Sequence, residues 1–303
     1  MVQENRVSER TIVLVAGPTA AGKTGFAEDL ALKRGGEILN ADSQQFYRGF
    51  DIGTGKTPPD QRRVPQHLLD LCDPGRGMTA AEFCRLADAK IAELGEGGKL
   101  AVVVGGTGLY LKALCEGLDE LPPRDAEIRS GLHAEWEAGG GPEMHRRLQE
   151  IDPAVASRVP PTDPVRLVRY LEIARITGQA PSRLLRRERP PRLRYPVESY
   201  WLQPDRAELR ARIARRVAAM FEGGWLEEVE KLLGQGIDPR RLENKPLGYA
   251  ECAQVLSGRL GREEAQARIT LKTAQYAKRQ ETYFRGLFSH SAYGLFGSSL
   301  HRV

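Results

Sequence analysis

The stretch GPTAAGKTGFAEDL, Gly17 to Leu30, decides the fold. It follows TIVLVA, an apolar run rich in β-branched residues, and opens into a segment with helical periodicity. Gly17, Gly22, Lys23 and Thr24 fit G-x-x-x-x-G-K-[ST], the pattern of a phosphate-cradling loop between a strand and a helix. At ordinary glycine usage the pattern arises by chance roughly once in a hundred chains of this length. The flanking strand and helix make an incidental glycine turn rarer still. Backbone N–H groups at a helix N-terminus favour an anion, Lys23 adds a charge, and the Thr24 hydroxyl can ligate Mg²⁺. The expected phosphate-binding set is Gly17, Pro18, Thr19, Ala20, Ala21, Gly22, Lys23 and Thr24. Nucleotide binding, ATP first, is the usual expectation for such a loop. Whether these phosphates belong to a nucleotide is the question the rest of the chain must answer.

Outward from the loop, short apolar runs alternate with helical patterns. Thr11–Ala16 reads as a buried strand, Lys23–Arg34 as a helix and Glu37–Ala41 as a second strand. Thr79 to Glu82 forms a capping box for a helix towards Leu94; Leu100–Val104 is another strand, and Thr107–Glu116 a helix ended by Gly117. From about Asp125 to Glu188 there is helical periodicity and no strand, with Asp125 as a cap, Pro142 as a start, and Pro164–Thr177 ending at Gly178. Glu198–Leu202 returns as a strand, followed by helices at Asp205–Glu222, Trp225–Gly234 and roughly Arg262–Leu287. The fold class expected is α/β: a P-loop NTPase-like parallel sheet core, residues 1–124 and 189–303, interrupted by an all-helical insertion at 125–188. The last dozen residues read as a loose tail.

The 303 residues carry 45 Lys and Arg against 40 Asp and Glu, a net charge of +5. That mild excess does not by itself indicate a nucleic-acid partner. Ser182 to Tyr195 is denser, with arginines at 183, 186, 187, 189, 192 and 194 against Glu188. It is either a solvated face or an electrostatic footprint for phosphates. Cys72, Cys84, Cys115 and Cys252 have neither C-x-x-C pairing nor finger spacing, so reduced thiols in a cytosolic protein are expected. The polar start MVQENRVSER and the lack of a bilayer-length apolar run predict a soluble cytoplasmic protein without membrane contact; a monomer is the separate expectation for its assembly.

Three further motifs carry chemistry. Asp42, in NADSQQFYR, follows the second strand, at the sheet edge where α/β proteins bind ligands. Alone it reads as a turn cap; beside a phosphate loop it can hold Mg²⁺ or act as a general base. GGTGLY at 105–110 follows another strand, and Thr107 there can cap a helix or bond a substrate. No acidic residue ends that strand, which weakens an ATPase reading. A second GKT, Gly55–Thr57, lacks the first glycine, because position 50 is Phe50, and runs into Pro58–Pro59. It is expected to be a loop with Lys56 available for an anion. Arg212 and Arg216 lie four apart on one helix face, either solvated or directed at leaving-group phosphates. TAQYAKRQETYFR interleaves Lys278, Arg279 and Arg285 with Tyr276, Tyr283 and Phe284, either core aromatics or a surface for single-stranded RNA.

Together these residues resemble the tRNA dimethylallyltransferase (tRNA isopentenyltransferase) family of bacterial type. The matching stretches are GPTAAGKT at 17–24, ADSQQFYRGFDIGTGK at 41–56, HLLDLCDPGRGMTAAEFCRLA at 67–87 and GGTGLYLKAL at 105–114. DPVRLVRYLEI at 163–173, LRARIARRVAAM at 209–220, KPLGYAE at 245–251 and YAKRQETYFR at 276–285 follow in the family's order. The resemblance implies transfer of a dimethylallyl group from dimethylallyl diphosphate to N6 of the adenosine beside the anticodon, position 37 of tRNA, with Mg²⁺. It implies that the helical insertion contacts the anticodon stem–loop. Asp42 is then the expected base, in a catalytic set with Thr107 and Arg216; the loop and Arg212 hold the diphosphate, with Thr24 as metal ligand. The implied tRNA contacts are Asp42, Ser43, Gln44, Gln45, Thr107 and Arg129. They continue with Val165, Arg166, Leu167, Val168 and Arg169 in the insertion, then Lys245, Gly248, Tyr249, Lys278, Arg279, Gln280 and Arg285.

The chain departs from the family pattern where a His-Pro-Asn-Asp run is common and Pro160–Pro161–Thr162–Asp163 stands here. Val165 replaces a frequent Gln, and Ala250 a frequent Arg. Three rival functions are a small-molecule or nucleoside kinase, an isopentenyltransferase acting on free adenine nucleotides, and a non-catalytic RNA-binding protein. The missing acidic strand end opposes the first, and the helical insertion with the basic aromatic segment opposes the second.

Overall fold

The computed structural model describes residues 11–119, 121–185, 193–242, 245–289 and 300–303. It divides into two compact units, Met1–Gly117 with Pro191–Val303, and Leu118–Pro190.

In chain order the first unit runs β1 (Ile12–Ala16), α1 (Lys23–Arg34), β2 (Gly36–Asn40), β3 (Gln66–His67), α2 (Ala80–Glu96), β4 (Leu100–Gly105) and α3 (Gly108–Glu116). The second unit holds α4 (Ala126–Glu135), α5 (Gly141–Ile151), α6 (Pro153–Ala156) and α7 (Pro164–Thr177). The first then resumes with β5 (Val197–Trp201), α8 (Arg206–Glu222), α9 (Trp225–Gly234), α10 (Tyr249–Leu256), α11 (Arg262–Ser289) and β6 (Leu300–Arg302). The strands form one six-stranded sheet in the order β3-β2-β4-β1-β5-β6, parallel at every pair.

A parallel sheet needs both faces covered, and β1 shows how the sequence provides this. Ile12, Leu14 and Ala16 point into the larger core, beneath α2, α3, α8 and α11, while Val13 and Val15 point into a smaller one lined by Ala27 and Ala31 of α1. A strand apolar on both faces therefore reads as a continuous apolar run. The helical unit has a core of its own, in which Leu132, Met144, Leu148, Leu167, Val168 and Leu171 pack together.

Local signals act as expected. Thr79 Oγ1 accepts the Glu82 N–H while the Glu82 carboxylate accepts the Thr79 N–H, a complete capping box. Asp125 caps α4 through its carboxylate, and Asp163, not singled out from the sequence, caps α7 in the same way. Of the expected loose tail only residues 300–303 are described, and these depart from expectation. Leu300–Arg302 pairs in register with Ser199–Trp201 as the sheet's outermost strand, and the Arg302 guanidinium lies over the Trp201 ring. Three residues on an edge carry no long apolar pattern, so sequence gave no sign of them. Two other elements were unannounced for similar reasons: β3 is only two residues, and α10 is a short helix that follows Pro246.

Candidate active site

The sheet register puts the site together. Ala16 lies opposite Gly105 on one side and Trp201 on the other, and Asn40 lies opposite Val104. Four strands therefore end level, and Gly17, Asp42 and the Gly106–Thr107 turn leave the sheet at one edge. The phosphate loop wraps the start of α1, whose N-cap is Gly22 in the left-handed region with no side-chain cap. The first-turn N–H groups are thus left for an anion. Ala20 is also left-handed, at φ 62°, which costs a non-glycine residue about 1–3 kcal/mol. The loop is braced from α11: Gln280 Oε1 accepts the Thr19 N–H at 2.8 Å, and its Nε2 donates to the Gly106 carbonyl at 3.0 Å. Gly106 must be glycine for that brace, since a Cβ there would sit 2.3 Å from Gln280 Nε2.

A cavity of about 220 Å³ opens beside the loop. Lys23, Thr24, Asp42, Gln44, Arg216 and Tyr276 are among its polar lining, and Ile213, Val217, Met220, Trp225 and Ile269 form an apolar wall. Among the described residues Asp42 is the one acid lining it. Burial pushes the Lys23 ammonium down to about 8; Asp42 opposes the shift and Arg216 adds to it. Burial likewise lowers Arg216, against the pull of Asp42. The Tyr276 phenol is pushed up to about 12, by burial first and by Asp42 second, and so keeps its proton. The Asp42 Oδ1 accepts the Gln44 N–H at 2.9 Å. Gln44 Oε1 is buried without a hydrogen-bond partner, an acceptor open to a ligand.

Arg216 donates to the Thr54 carbonyl at 3.2 Å from inside the cavity. Arg212 lies against the loop backbone, 3.4 Å from the Ala21 carbonyl, and pairs with Glu208 at 2.5 Å. Thr107 does not cap α3; its hydroxyl accepts the Ser43 N–H at 3.1 Å and so ties the turn after β4 to the segment after β2. Gln45 Nε2 donates to the Thr54 and Gly55 carbonyls at 3.2 and 3.3 Å. The cavity joins a cationic anion cradle, an apolar wall and a single carboxylate. That combination suits an anionic group carried on an apolar stem, with a proton acceptor beside the reacting atom.

Several expected contacts prove structural. Lys56 is not available for an anion: its buried ammonium donates to the Tyr47 carbonyl at 2.6 Å and pairs with Asp51 at 2.7 Å and with Asp70. Gln280 is spent on the loop brace. Tyr249 is fully buried, with its hydroxyl on Glu228 at 2.5 Å, and Gly248 is buried at the start of α10. Leu167 and Val168 are core residues of the helical unit, so their side chains cannot meet RNA. Arg129 and Arg169 both engage the wholly buried Glu172, which needs cations to be tolerated there. Arg166 pairs with Asp163, and Val165 is 73% exposed. Lys245, Lys278, Arg279 and Arg285 remain exposed. Of the arginine cluster, Arg186, Arg187, Arg189 and Arg192 lie outside the described residues, whereas Arg194 is spent on Asp88 and the Leu114 carbonyl.

Sequence reasoning overlooked the apolar wall. Ile213 and Val217 sit four apart in α8, immediately beside Arg212 and Arg216, so the signal was the i, i+4 repeat within the same motif. Trp225, Ile269 and Thr54 come from three other segments and left no local mark.

The fold and this cavity define a P-loop-like α/β protein with an anion cradle facing a carboxylate and an apolar wall. The family model described as IPP transferase matches residues 45–287. A protein of Anaeromyxobacter dehalogenans named tRNA dimethylallyltransferase is 50% identical over 277 residues, covering 90% of this chain and 91% of its own length. The structure of a tRNA isopentenylpyrophosphate transferase from Bacillus halodurans superposes with a TM-score of 0.67 at 34% identity, covering 98% of this chain and 90% of the other. That of a eukaryotic dimethylallyltransferase acting on tRNA gives 0.77 at 29% identity, over 90% of this chain and 69% of the other. The chain belongs to the IPP transferase family, a family of prenyl-transferring enzymes.

Proposed function

We propose that this protein transfers the dimethylallyl group of dimethylallyl diphosphate to N6 of the adenosine at position 37 in tRNA. The observation that carries the reading is Asp42, the one acid among the described cavity residues, facing the half-buried Lys23 and Arg216 across an apolar-walled cavity. The diphosphate would sit on the loop amides with Lys23, its isoprenoid stem along Ile213, Val217 and Trp225. The adenine must leave its stack to reach Asp42, as base-modifying enzymes require. An exocyclic amine is a weak nucleophile, so Asp42 accepts its proton as the new N–C bond forms. Such a base contributes about 10²–10⁴-fold. The allylic C–O bond breaks, and the departing diphosphate takes up negative charge that Lys23, Arg216 and the loop amides neutralise. Gln44 Oε1, left without a partner, can hold the amine's other hydrogen.

Mg²⁺ fits as a partner of the substrate rather than of a protein cage. Among the described residues no group of three or more His, Cys, Asp or Glu could hold a metal. Thr24, at the second position of α1, would give one hard oxygen, with the diphosphate and water completing the shell. The ion would add positive charge to the leaving group. The tRNA would meet the exposed Lys278, Arg279 and Arg285 along α11, and the helical unit. Among the described residues no helix is long and apolar enough to cross a membrane. A cytoplasmic monomer suits a protein that works on tRNA.

Purified protein incubated with dimethylallyl diphosphate and an anticodon stem–loop should give an isopentenyl-modified adenosine on mass analysis of the nucleosides, with AMP a poor acceptor. ATP-dependent phosphorylation without prenyl transfer would instead establish a kinase.

A further inference from the structure

The loop just before the second GKT does hold an anion, but the anion belongs to the protein. Glu228 of α9 reaches the loop before it: Oε2 accepts the Asp51 and Ile52 N–H groups at 2.9 and 2.7 Å, and Oε1 accepts the Gly53 N–H at 3.3 Å. Three successive amides converge on one carboxylate, the geometry of a backbone anion nest. The Tyr249 hydroxyl donates to the same Oε1 at 2.5 Å, which fixes the carboxylate from the core side.

The other face of that loop is the cavity wall. The Gly55 N–H returns to the Ile52 carbonyl at 2.9 Å, so seating residues 51–53 on Glu228 sets where Thr54 and Gly55 lie. Thr54 then presents its carbonyl to Arg216, and Thr54 and Gly55 present theirs to Gln45. Gly55 is left-handed at φ 68°, and a Cβ on it would lie 2.1 Å from Arg216 Nη2, so the guanidinium rests directly on this backbone. Arg216 is otherwise a long, rotamer-rich side chain in a low-dielectric cavity, where a misplacement of about 1 Å can cost on the order of a hundredfold in rate.

We infer that Glu228 is a positioning residue for the transfer reaction: by filling the 51–53 nest it fixes the Thr54–Gly55 backbone that holds Arg216 over the diphosphate site. The inference rests on the transfer reading above and adds to it a residue that lines no part of the cavity. Glu228→Gln keeps shape and size but has one acceptor oxygen to offer where the carboxylate has two. The nest loosens, and Arg216 loses its fixed seat.

The test is a double-mutant cycle with Arg216→Met, read by single-turnover transfer to an anticodon stem–loop and by calorimetric affinity for inorganic diphosphate. Glu228→Gln should lower the transfer rate about ten- to a hundredfold and weaken diphosphate binding, with stem–loop affinity unchanged. In the Arg216→Met background it should cost almost nothing further, because its effect passes through that arginine. Effects that multiply in the cycle, or a wild-type rate, would overturn the inference. Tyr249→Phe keeps the ring and removes the hydroxyl that anchors Glu228. It should give a smaller loss with the same non-additivity, and it decides the matter alone if Glu228→Gln does not fold. Absence of transfer by the wild-type protein would refute the function proposed above, while the diphosphate cycle would still read the link between Glu228 and Arg216.

Discussion

The Lys23 ammonium donates to the Pro18 carbonyl of its own loop at 2.7 Å. The loop's principal cation thus rests on a neutral acceptor while burial holds its pKa near 8. A bound diphosphate replaces that carbonyl with negative charge and favours the protonated lysine. The sign follows from linkage: above about 8 the free protein must take up a proton to bind, so affinity falls as pH rises, by up to about tenfold per unit. Below about 8 this contribution is flat. Affinity for inorganic diphosphate between pH 6 and 10, compared with that of Lys23→Met, isolates the lysine from the ligand's own titration. Parallel profiles for the two proteins would remove Lys23 from the site.

Asp42→Asn leaves an oxygen able to accept the Gln44 N–H, so the segment after β2 should keep its conformation. Donor and stem–loop affinities should stay within a few-fold of wild type. Single-turnover transfer should drop by about 10²–10⁴-fold, the loss expected of a general base. Near wild-type turnover would deny Asp42 that role.

Residues 278–280 separate two functions along one helix. Gln280→Ala frees the part-buried Thr19 N–H and the buried Gly106 carbonyl; the latter costs about 1–3 kcal/mol when unpaired, and the former less. It should lower the thermal midpoint and raise the KM for donor. Lys278→Ala and Arg279→Ala, at exposed positions, should leave the midpoint unchanged and weaken stem–loop binding, increasingly so at low salt. A stem–loop defect in Gln280→Ala without a donor defect would contradict the brace.

What the sequence revealed follows from how local each feature is. β1, α1 and the loop between them were legible because one continuous stretch encodes strand, turn glycines and helix, and the structure returns Lys23–Arg34 as the helix. Asp42 was legible only through topology, since nothing local distinguishes it from a turn cap. The cavity's apolar wall was legible only in part: Ile213 and Val217 repeat at i, i+4 beside Arg212 and Arg216, whereas Trp225 and Ile269 join them from two other helices and leave no local mark. Tyr249 and Gln280 misled for a related reason. Their motifs carry residues needed for the site, yet these two act from behind it, in the core, and a sequence pattern does not distinguish holding a loop from touching a ligand.

Lys56 shows how far a motif can diverge from its appearance. Its ammonium, 3% exposed at the side chain, lies between Asp51, Asp70 and the Tyr47 carbonyl. Asp70 itself sits at φ 54°, so the pair also holds a strained backbone position. Lys56→Met removes the one cation from two carboxylates and a carbonyl and fills similar volume with apolar atoms. Breaking a buried pair from one side costs about 3–5 kcal/mol, reduced here because both carboxylates keep some contact with water. Chemical denaturation should therefore show a loss of about 2–3 kcal/mol. Affinity for inorganic diphosphate should stay within a few-fold of wild type, since Lys56 does not face the cavity. The contrast with Lys23→Met is the test: that variant should bind diphosphate measurably but more weakly, and keep its stability. If Lys56→Met instead lost diphosphate binding at unchanged stability, the second GKT would have to be counted as part of the site.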